Sequence, residues 1–192
     1  MTAAIVPELA LDPRRKRWTV EEAYRIAELL PGRWELIEGE LIDKMGQKPQ
    51  HALLITMLNA LFAQQFPARV RIQLPVSLPD PNRRSEPEPD VVVLHSDARE
   101  FSERHPGPEN VALLIEVADT TRQMDLNVKS TLYARYGIAE YWVIDIPQRC
   151  VVVHRGPSGD KYASVEAIPS NVPIAPVFVG LEGTLTLDRL LG

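Results

Sequence analysis

The sequence predicts an α/β domain (α+β in some classifications) in which a mixed central β-sheet is flanked by helices and extended by an N-terminal β-hairpin. The first observation is a strand–helix–strand pattern over residues 111–146, where apolar runs at 111–118 and 141–146 flank a helical segment at 123–136. Such runs are typical of strands that are covered on both faces. The second is a further apolar run at 91–94. Gly137 can supply the left-handed residue that closes the helix.

Length and composition indicate one globular domain at residues 18–192. The chain has 192 residues, of which 45% are hydrophobic and 24% charged, which is ordinary for such a domain. Residues 1–17 are rich in proline and charge without a period, which predicts a loose arm. No apolar run has the length of a membrane span, and no signal-peptide pattern is present. The single cysteine, Cys150, excludes an internal disulfide framework and predicts a cytoplasmic protein, with Cys150 packed in a strand.

The charge balance argues against a protein that coats nucleic acid without specificity. The net charge is −5 and the pI is about 5.4, whereas such proteins carry an excess of positive charge. A local basic patch is still compatible with this balance. The candidate segments are residues 14–17, 69–71 and 83–84, and solvation of the surface is the simpler role for each.

The N-terminal part predicts one helix and one hairpin. Thr19 and Glu22 match a capping box at the start of a helix over residues 20–30, which the Pro-Gly pair at 31–32 ends. Residues 34–44 read WELIEGELIDK and predict a hairpin that turns at residues 38–39. The acids of this hairpin are dense, and we expect at least one of them to lie on a solvated face. The helix residues expected to face inward are Ala23, Ile26, Ala27 and Leu30, and the hairpin acids are Glu35, Glu38 and Glu40.

The middle of the chain predicts a long helix and a strand. Residues 50–66 form the longest amphipathic pattern, with His51 in the first turn. Residues 69–78 alternate as RVRIQLPVSL, which predicts a strand, and residues 79–89 form a polar, Pro-rich connection to the strand at 91–94. Residues 96–110 predict a loop with about one helical turn. The expected inward residues are Leu53, Leu54, Met57, Leu58, Leu61 and Phe62 in the helix, and Val70, Ile72, Leu74 and Val76 in the strand.

The C-terminal part predicts two more strands and a short closing element. Residues 150–155 and 162–168 have strand patterns, and residues 156–160 predict the turn between them. Residues 169–192 are mostly irregular, with a short element at 185–191. The aromatic residues of the second half are most simply part of the core. They are Tyr133, Tyr136, Tyr141 and Trp142.

Three charged residues point toward the predicted interior. Glu116 interrupts the apolar run at 111–118, and Asp125 and Lys129 fall within the apolar arc of the helix at 123–136. A buried charge is costly unless it is paired or used. Asp125 and Lys129 are four residues apart in the acid-first order, so they can also simply pair with each other. The arc contains Met124, Leu126, Val128, Leu132, Tyr133 and Tyr136, whereas Asn127, Ser130, Thr131 and Ala134 face outward.

Asp90 completes a possible catalytic set with two of these charges. It begins the strand at 91–94, and if that strand lies beside the strand at 111–118, Asp90, Glu116 and Lys129 meet at one point. Two carboxylates can bind Mg²⁺ or Mn²⁺. The metal polarises a phosphate and generates hydroxide from water, and a lysine orients that water or offsets the charge of the transition state. This arrangement suits hydrolysis of a phosphodiester.

Several motifs resemble the PD-(D/E)xK nuclease superfamily and, more closely, the Uma-two family of restriction endonucleases. The core motif is Pro89-Asp90 followed by Glu116-Val-Ala118. The longer set is WELIEGEL, His51, SEPEPDVVV, LLIEVAD, Asp125, Lys129, Tyr133 and GIAEYWVID, which extends from Trp18 to Val153. The resemblance implies a restriction endonuclease-like fold and a Mg²⁺-dependent (or Mn²⁺-dependent) endonuclease that cuts DNA. It also implies a homodimer, because cleavage of both strands needs two sites.

The resemblance assigns a role to each candidate residue. It makes Asp90 and Glu116 the metal ligands and Lys129 the catalytic lysine. In the superfamily the lysine usually stands two residues after the acid, where this chain has Ala118, so Lys129 would reach the same point from the neighbouring helix. An additional acid would come from the hairpin, with His51 beside it. The supporting residues expected at the site are Glu35, Glu40, His51 and Asp125.

Two other interpretations remain. A nuclease-fold relative that binds a nucleic acid or a protein without cutting it is favoured by the acidic pI and by the displaced lysine. Hydrolysis of a nucleotide or another small phosphate ester would require a small, closed pocket. Other chemistries lack their motifs, since the sequence has no glycine-rich phosphate loop, no paired Cys or His spacing and no GxSxG. The remaining histidines, His95, His105 and His154, show no ligand spacing.

Overall fold

The computed structural model of the protein describes residues 16–27, 29–30, 32–44, 46–177 and 184–192. Most of the predicted N-terminal arm therefore lies outside the described residues, as does Pro31 of the predicted helix stop. The described chain forms a mixed six-stranded sheet and a separate two-stranded hairpin, so the predicted architecture is confirmed. None of the helices in these ranges combines the length and the apolar character needed to cross a membrane.

The six-stranded sheet has its strands in the order β3-β4-β5-β6-β7-β8. Only β5 and β6 are parallel, and the helical crossover predicted between them joins these two strands; every other pair is antiparallel. The strands are β1 (Trp34–Ile37), β2 (Glu40–Asp43), β3 (Val70–Ile72), β4 (Val91–Leu94), β5 (Val111–Ala118), β6 (Glu140–Asp145), β7 (Cys150–Ser158) and β8 (Lys161–Pro169). The helices are α1 (Val20–Ala27), α2 (Pro49–Gln65), α3 (Ser130–Arg135) and α4 (Leu187–Leu191).

Both faces of the central strands are covered, as their apolar sequences predict. One face packs against α2 and α4, and the other packs against α3. Every residue of β5 is buried. Because side chains alternate along a strand, Ile115 and Val117 face α2, while Leu114 and Glu116 face α3. Each fully buried Leu, Ile or Val side chain contributes roughly 1.5–3 kcal/mol, which fixes the sheet around Glu116.

Local sequence chemistry explains the N-terminal elements. The capping box is present, with the Thr19 hydroxyl accepting from the Glu22 amide and the Glu22 carboxylate accepting from the Thr19 amide. The hairpin turns at Glu38 and Gly39, which have φ of 47° and 84°, as a two-residue turn of this hand requires. The helix α1 ends at Ala27, earlier than the predicted 30, because Leu29 bonds the carbonyl three residues back. The side chain of Ala27 lies outside the described residues.

Two predictions for the middle of the chain are wrong. The strand predicted over 69–78 ends at Ile72, because Gln73 has a φ of 52° and Pro75 lacks an amide donor. In α2 the buried residues are Leu54, Ile55, Leu58 and Phe62. Three residues predicted to face inward are exposed instead: Leu53 and Met57 of the helix, at 44% and 38%, and Leu74 of the predicted strand, at 43%.

The helix between β5 and β6 contains a π-helical turn, Met124–Lys129, immediately before α3. The wider turn changes the angle between successive side chains, so a wheel drawn with an α-helical period misplaces some of them. Ala134, predicted to face outward, is buried. Asp125 and Lys129 do face inward. Gly137 has the predicted left-handed φ, at 78°.

The remaining elements differ from prediction mainly at their ends. The turn predicted at 156–160 is shorter, because residues up to Ser158 belong to β7 and Lys161 already begins β8. The segment 96–110 contains two short 3₁₀ turns where one helical turn was expected. The closing element is present as α4, which is preceded by a single bridge between Ile174 and Leu185. Cys150 is a free, half-buried residue that packs against the α3 side of the core, as predicted.

Candidate active site

The predicted interior charges meet around one lysine. The Lys129 ammonium nitrogen lies 2.9 Å from Glu35 Oε1 and 2.9 Å from Glu116 Oε1. Its distance to Asp125 Oδ1 is longer, at 3.7 Å. All four side chains are buried. The simple pairing of Asp125 with Lys129 is therefore the weakest of the three contacts, and the lysine is oriented mainly by acids from β1 and β5.

Hydrogen bonds fix the acids of this cluster. The Tyr133 hydroxyl donates to Glu116 Oε1 at 3.0 Å. The Thr121 hydroxyl donates to Asp125 Oδ2 at 2.6 Å, and the Tyr141 hydroxyl donates to the Asp125 carbonyl at 3.0 Å. The π-helical turn directs Asp125 and Lys129 to the same side. Buried charges with this many partners are held in one arrangement.

Asp90 lies beside Glu116 because β4 and β5 are neighbours. Val91 pairs with Ile115, so the carboxylate that precedes β4 reaches the end of β5 and accepts from the Val117 amide at 2.9 Å. His51 Nε2 lies 3.2 Å from Asp90 Oδ2, and the Gln73 amide donates to Asp90 Oδ1 at 3.3 Å. His51 Nδ1 is buried and has no hydrogen-bond partner within the described part of the chain.

The cluster shifts the pKa of its members in opposite directions. Burial raises the pKa of Glu116 to about 8, because the charges of Asp90 and Asp125 reinforce burial and Lys129 offsets only part of it. Burial likewise raises the pKa of Asp125 to about 6. For Asp90 the effect of burial is outweighed by the hydrogen bond from His51 and the charge of Lys44, so its pKa falls to about 2.

Lys129 remains charged in spite of its burial. Burial alone would lower the pKa of its ammonium group, but the carboxylates of Glu116, Glu35 and Asp125 raise that pKa well above its usual value. Lys129 is therefore a fixed positive charge at all ordinary pH values. It can stabilise negative charge, but it cannot serve as a base.

The donor set is suitable for a hard divalent cation. The acids Glu35, Glu116 and Asp125 lie around the buried ammonium group of Lys129, and Asp90 lies beside Glu116, so acidic groups outnumber this one cation. Among the described residues no three acidic, His or Cys side chains are arranged as a ready-made metal cage. Mg²⁺ usually takes only one or two carboxylates and keeps several waters, so Asp90 and Glu116 meet its needs.

The structure brings together most of the predicted site residues. Asp90, Glu116 and Lys129 converge, and Glu35, His51 and Asp125 contact them. Glu40 does not join the cluster in the described structure, because Arg17 holds its carboxylate at 2.7 Å. The hairpin places Glu35 and Glu40 on the same face, so the sequence pattern could not separate them.

Sequence reasoning missed three residues at the site. Lys44, whose ammonium group donates to the Glu88 carbonyl, lowers the pKa of Asp90. Gln73 contacts Asp90 from the residue that ends β3. Tyr133, which is part of the family resemblance but is predicted to lie in the core without a role at the site, bonds Glu116. Of the three, only Tyr133 could have been placed at the site from the sequence, because it lies four residues after Lys129 on the same helix.

The predicted basic segments are largely bound within the protein. Arg17 pairs with Glu40 and Arg83 with Glu21, each at 2.7 Å. Arg69 donates to the Leu94 carbonyl, and an Arg71 amino group lies 3.2 Å from His105 Nδ1. Of these, Arg83 is the most exposed, at 60% of its side chain.

Comparison with known proteins gives a family match and structural matches. The family model Uma2, described as "Putative restriction endonuclease", matches residues 20–188. The crystal structure of a putative nuclease belonging to DUF820 from Anabaena variabilis ATCC 29413 is similar, with a TM-score of 0.63 and 20% sequence identity, over 90% of this chain and 97% of that chain. At this identity the structural likeness shows the fold, and the predicted restriction endonuclease-like fold is confirmed. No curated protein matches the chain.

Proposed function

The chain belongs to the Uma2 family of "putative restriction endonucleases", and from this premise we propose that it is a Mg²⁺-dependent DNA endonuclease. Family membership supports a nuclease function. The observation that carries the proposal for this chain is the convergence of Asp90, Glu116 and Lys129 at one end of the central strands. Structural ion pairs rarely combine so many buried acids with a single lysine.

We assign Asp90 and Glu116 as the residues that would hold Mg²⁺ or Mn²⁺. The bound metal would polarise the scissile phosphate and lower the pKa of a bound water. Asp90 is already ionised, because its pKa is about 2. Glu116 would release its proton on binding, since its pKa of about 8 lies above neutral pH. His51 and the Val117 amide hold the Asp90 carboxylate in place.

The role we give to Lys129 is electrostatic. Its permanent positive charge would orient the attacking water and offset the negative charge that develops on the phosphate. Glu35 and Asp125 hold the ammonium group from two sides. They are positioning residues, because they act on the reaction through Lys129.

The test is DNA cleavage by Glu116→Gln, which keeps the shape of the protonated Glu116 side chain. We expect cleavage of plasmid DNA in the presence of Mg²⁺ to fall at least about a hundredfold, with an unchanged circular dichroism spectrum. Glu40→Gln is the matched control, because Glu40 is an equally buried hairpin acid that Arg17 holds outside the cluster. Full activity of Glu116→Gln would exclude the assignment.

A second candidate is a nuclease-fold protein that binds a nucleic acid or a protein without cutting it. The observation in its favour is the near-complete burial of Lys129, which is only 3% exposed. Isothermal titration with Mg²⁺ or Mn²⁺ separates the two candidates. An endonuclease must bind the metal in a way that Asp90→Asn and Glu116→Gln abolish, whereas a binding module need not bind it.

We propose in addition that the protein works as a homodimer in the cytoplasm. Cleavage of both DNA strands needs two sites, which a two-fold dimer supplies. The single cysteine suits a reducing compartment.

A further inference from the structure

A cleft lies between α1, the β1–β2 hairpin and the segment that leads to Asp90. Its volume is about 130 Å³. Leu36 and Leu41, which pair across the hairpin, face this cleft, whereas Glu35, on the other side of the same strand, faces Lys129. The cleft and the acidic cluster are therefore back to back across a single layer of two strands. Its main lining residues are Tyr24, Trp34, Leu36, Leu41, Glu86 and Glu88.

The size and the walls of the cleft suit a flat aromatic group. One water molecule takes about 10–15 Å³ of such a volume, so the cleft has room for a group of about ten heavy atoms. This is the size of one nucleobase. Tyr24 and Trp34 provide aromatic surfaces, and the hairpin leucines provide an apolar floor. Aromatic and apolar side chains of this kind stack on single bases without regard to sequence.

The polar groups of the cleft are hydrogen-bond acceptors. The Tyr24 hydroxyl donates to the Glu86 carboxylate at 2.5 Å, and the Glu88 carboxylate accepts from Arg33 at 2.6 Å. Carboxylates repel a phosphate, so the cleft is not a phosphate site. They accept instead from the exocyclic amino groups of cytosine and, by the same chemistry, of adenine and guanine. Thymine has no amino group, and its one ring N3–H lies between two carbonyl oxygens that a carboxylate repels.

Two arginines and a histidine stand beside these acceptors. The Arg33 side chain is half exposed, and His105 Nε2 lies 3.4 Å from the Tyr24 hydroxyl. An amino group of Arg71 lies 3.2 Å from His105 Nδ1, so Arg71 holds the histidine in place. The exposed cation Arg33 suits a phosphate beside a bound base.

One segment connects the cleft to the acidic cluster. The Glu88 side chain lines the cleft, while its amide donates to Glu35 Oε2 at 3.2 Å and its carbonyl accepts from Lys44. Asp90 follows two residues later. Glu88 therefore belongs both to the wall of the cleft and to the segment that contacts Glu35 and leads to Asp90.

We propose that the cleft binds one unpaired nucleobase of the substrate strand, with a preference for bases that carry an amino group. The inference rests on the proposed function, from which it takes a nucleic acid as the ligand. A base inside a duplex is stacked and paired, and it must leave the helix to enter a pocket of this kind. On duplex DNA the base that enters the cleft must therefore be locally unpaired, whereas single-stranded DNA presents such a base directly.

The test measures the binding of single strands to the protein under conditions in which no metal-dependent cleavage can occur. Fluorescence anisotropy with the metal chelated by EDTA compares a labelled single-stranded oligodeoxycytidine with a strand of equal length in which every nucleotide is an abasic tetrahydrofuran sugar. We expect wild-type protein to bind the base-bearing strand about tenfold more tightly. Ala23→Phe, which places a ring in the cleft, and Tyr24→Ala should each remove this difference. Val165→Ala, an exposed site on β8, is the control and should retain it.

The possible results separate this inference from the proposed function. Equal binding of the two strands by wild-type protein, no binding of either strand, or an unchanged preference in Ala23→Phe would each overturn the nucleobase site. Equal binding of oligodeoxycytidine and oligodeoxythymidine would overturn recognition by the carboxylates. A base preference in a protein that cuts no substrate with Mg²⁺ would support the cleft and exclude the nuclease. A protein that cuts nucleic acid with Mg²⁺ but shows no base preference would support the nuclease and overturn the nucleobase site.

Discussion

Lys129 is the residue on which the stability and the chemistry of the cluster both depend. Its ammonium group is the only buried cation within the described residues that touches Glu35, Glu116 and Asp125. Isolated carboxylates are costly to bury, and the cost is offset only while a partner with good geometry is present. The residue to which we assign an electrostatic role in catalysis thus also holds the interior together.

Lys129→Met should therefore destabilise the protein. We expect the free energy of unfolding to fall by about 3–5 kcal/mol, because buried acids lose their partner. Adding Glu35→Gln to Lys129→Met should recover part of this loss, since one of the unpaired carboxylates is then neutral. Urea denaturation at pH 7 measures both variants. A Lys129→Met protein as stable as the wild type would show that the acids are already protonated and need no cation.

The raised pKa of Glu116 should make the proposed metal binding depend on pH. Burial raises this pKa to about 8, so the metal-free folded protein holds a proton that the unfolded chain, with a pKa near 4.5, has lost at neutral pH. The proton's contribution to stability is present below the unfolded pKa and is lost as pH rises through about 8. A bound metal competes with the same proton.

We therefore expect Mg²⁺ to raise the Tm more at pH 8.5 than at pH 6.5. Thermal unfolding with and without the metal at the two pH values measures this difference. Glu116→Gln is the control, because glutamine cannot titrate, and its small response to Mg²⁺ should not change with pH. A larger effect of Mg²⁺ at pH 6.5 in the wild-type protein would contradict the assignment of Glu116 as a ligand.

At the scale of elements, the hairpin has two functions. One face carries Glu35 to Lys129, and the other face forms the floor of the cleft. Its turn places Gly39 at a φ of 84°, with the side chain of Arg17 directly against it. A Cβ at this position would lie 2.9 Å from Arg17 Cβ. The turn therefore needs glycine for its backbone conformation and for its packing.

Gly39→Ala should be more damaging than Gly159→Ala. Both glycines have a left-handed φ, but nothing lies within 4 Å of a Cβ at Gly159, so that variant loses only the conformational term of about 1–2 kcal/mol. Overpacking against Arg17 should lower the Tm of Gly39→Ala by about 5 °C more, and displacement of Glu35 should also reduce cleavage. Differential scanning calorimetry of the two variants provides the comparison, and equal Tm values would contradict the packing argument.

The elements also show what the sequence could predict. The capping box, the hairpin turn and the covered strands follow from local chemistry or simple periods, and all three predictions are confirmed. The break of β3 at Gln73 and the π-helical turn before α3 do not, because tertiary contacts decide them. Tertiary contacts also explain why the sequence could not show that Glu40 lies outside the cluster, since only the folded position of Arg17 separates Glu40 from Glu35.

At the scale of the whole molecule, α2 has an exposed face without charge. Its 17 residues include no Asp, Glu, Lys or Arg, and Leu53 and Met57 on its outer side are 44% and 38% exposed. Exposed apolar residues that lie together on a surface often mark an interaction site. The protein carries a net charge of −5, so two copies repel each other least where the surface is uncharged. This face is where we expect the proposed homodimer to form.

The variant Leu53→Glu/Met57→Glu should be a monomer. Both side chains lie on the solvent side of α2, so the core formed by Leu54, Leu58 and Phe62 is unchanged, whereas four added acids per dimer would face one another across the interface. Size-exclusion chromatography with light scattering measures the mass, and Val165→Glu on β8 is the control that should remain dimeric.

In the monomeric variant plasmid nicking should persist while linearisation falls, because each copy retains its own Asp90, Glu116 and Lys129. A wild-type protein that is monomeric at micromolar concentration would exclude this dimer, and a double variant that stays dimeric would place the interface on another surface.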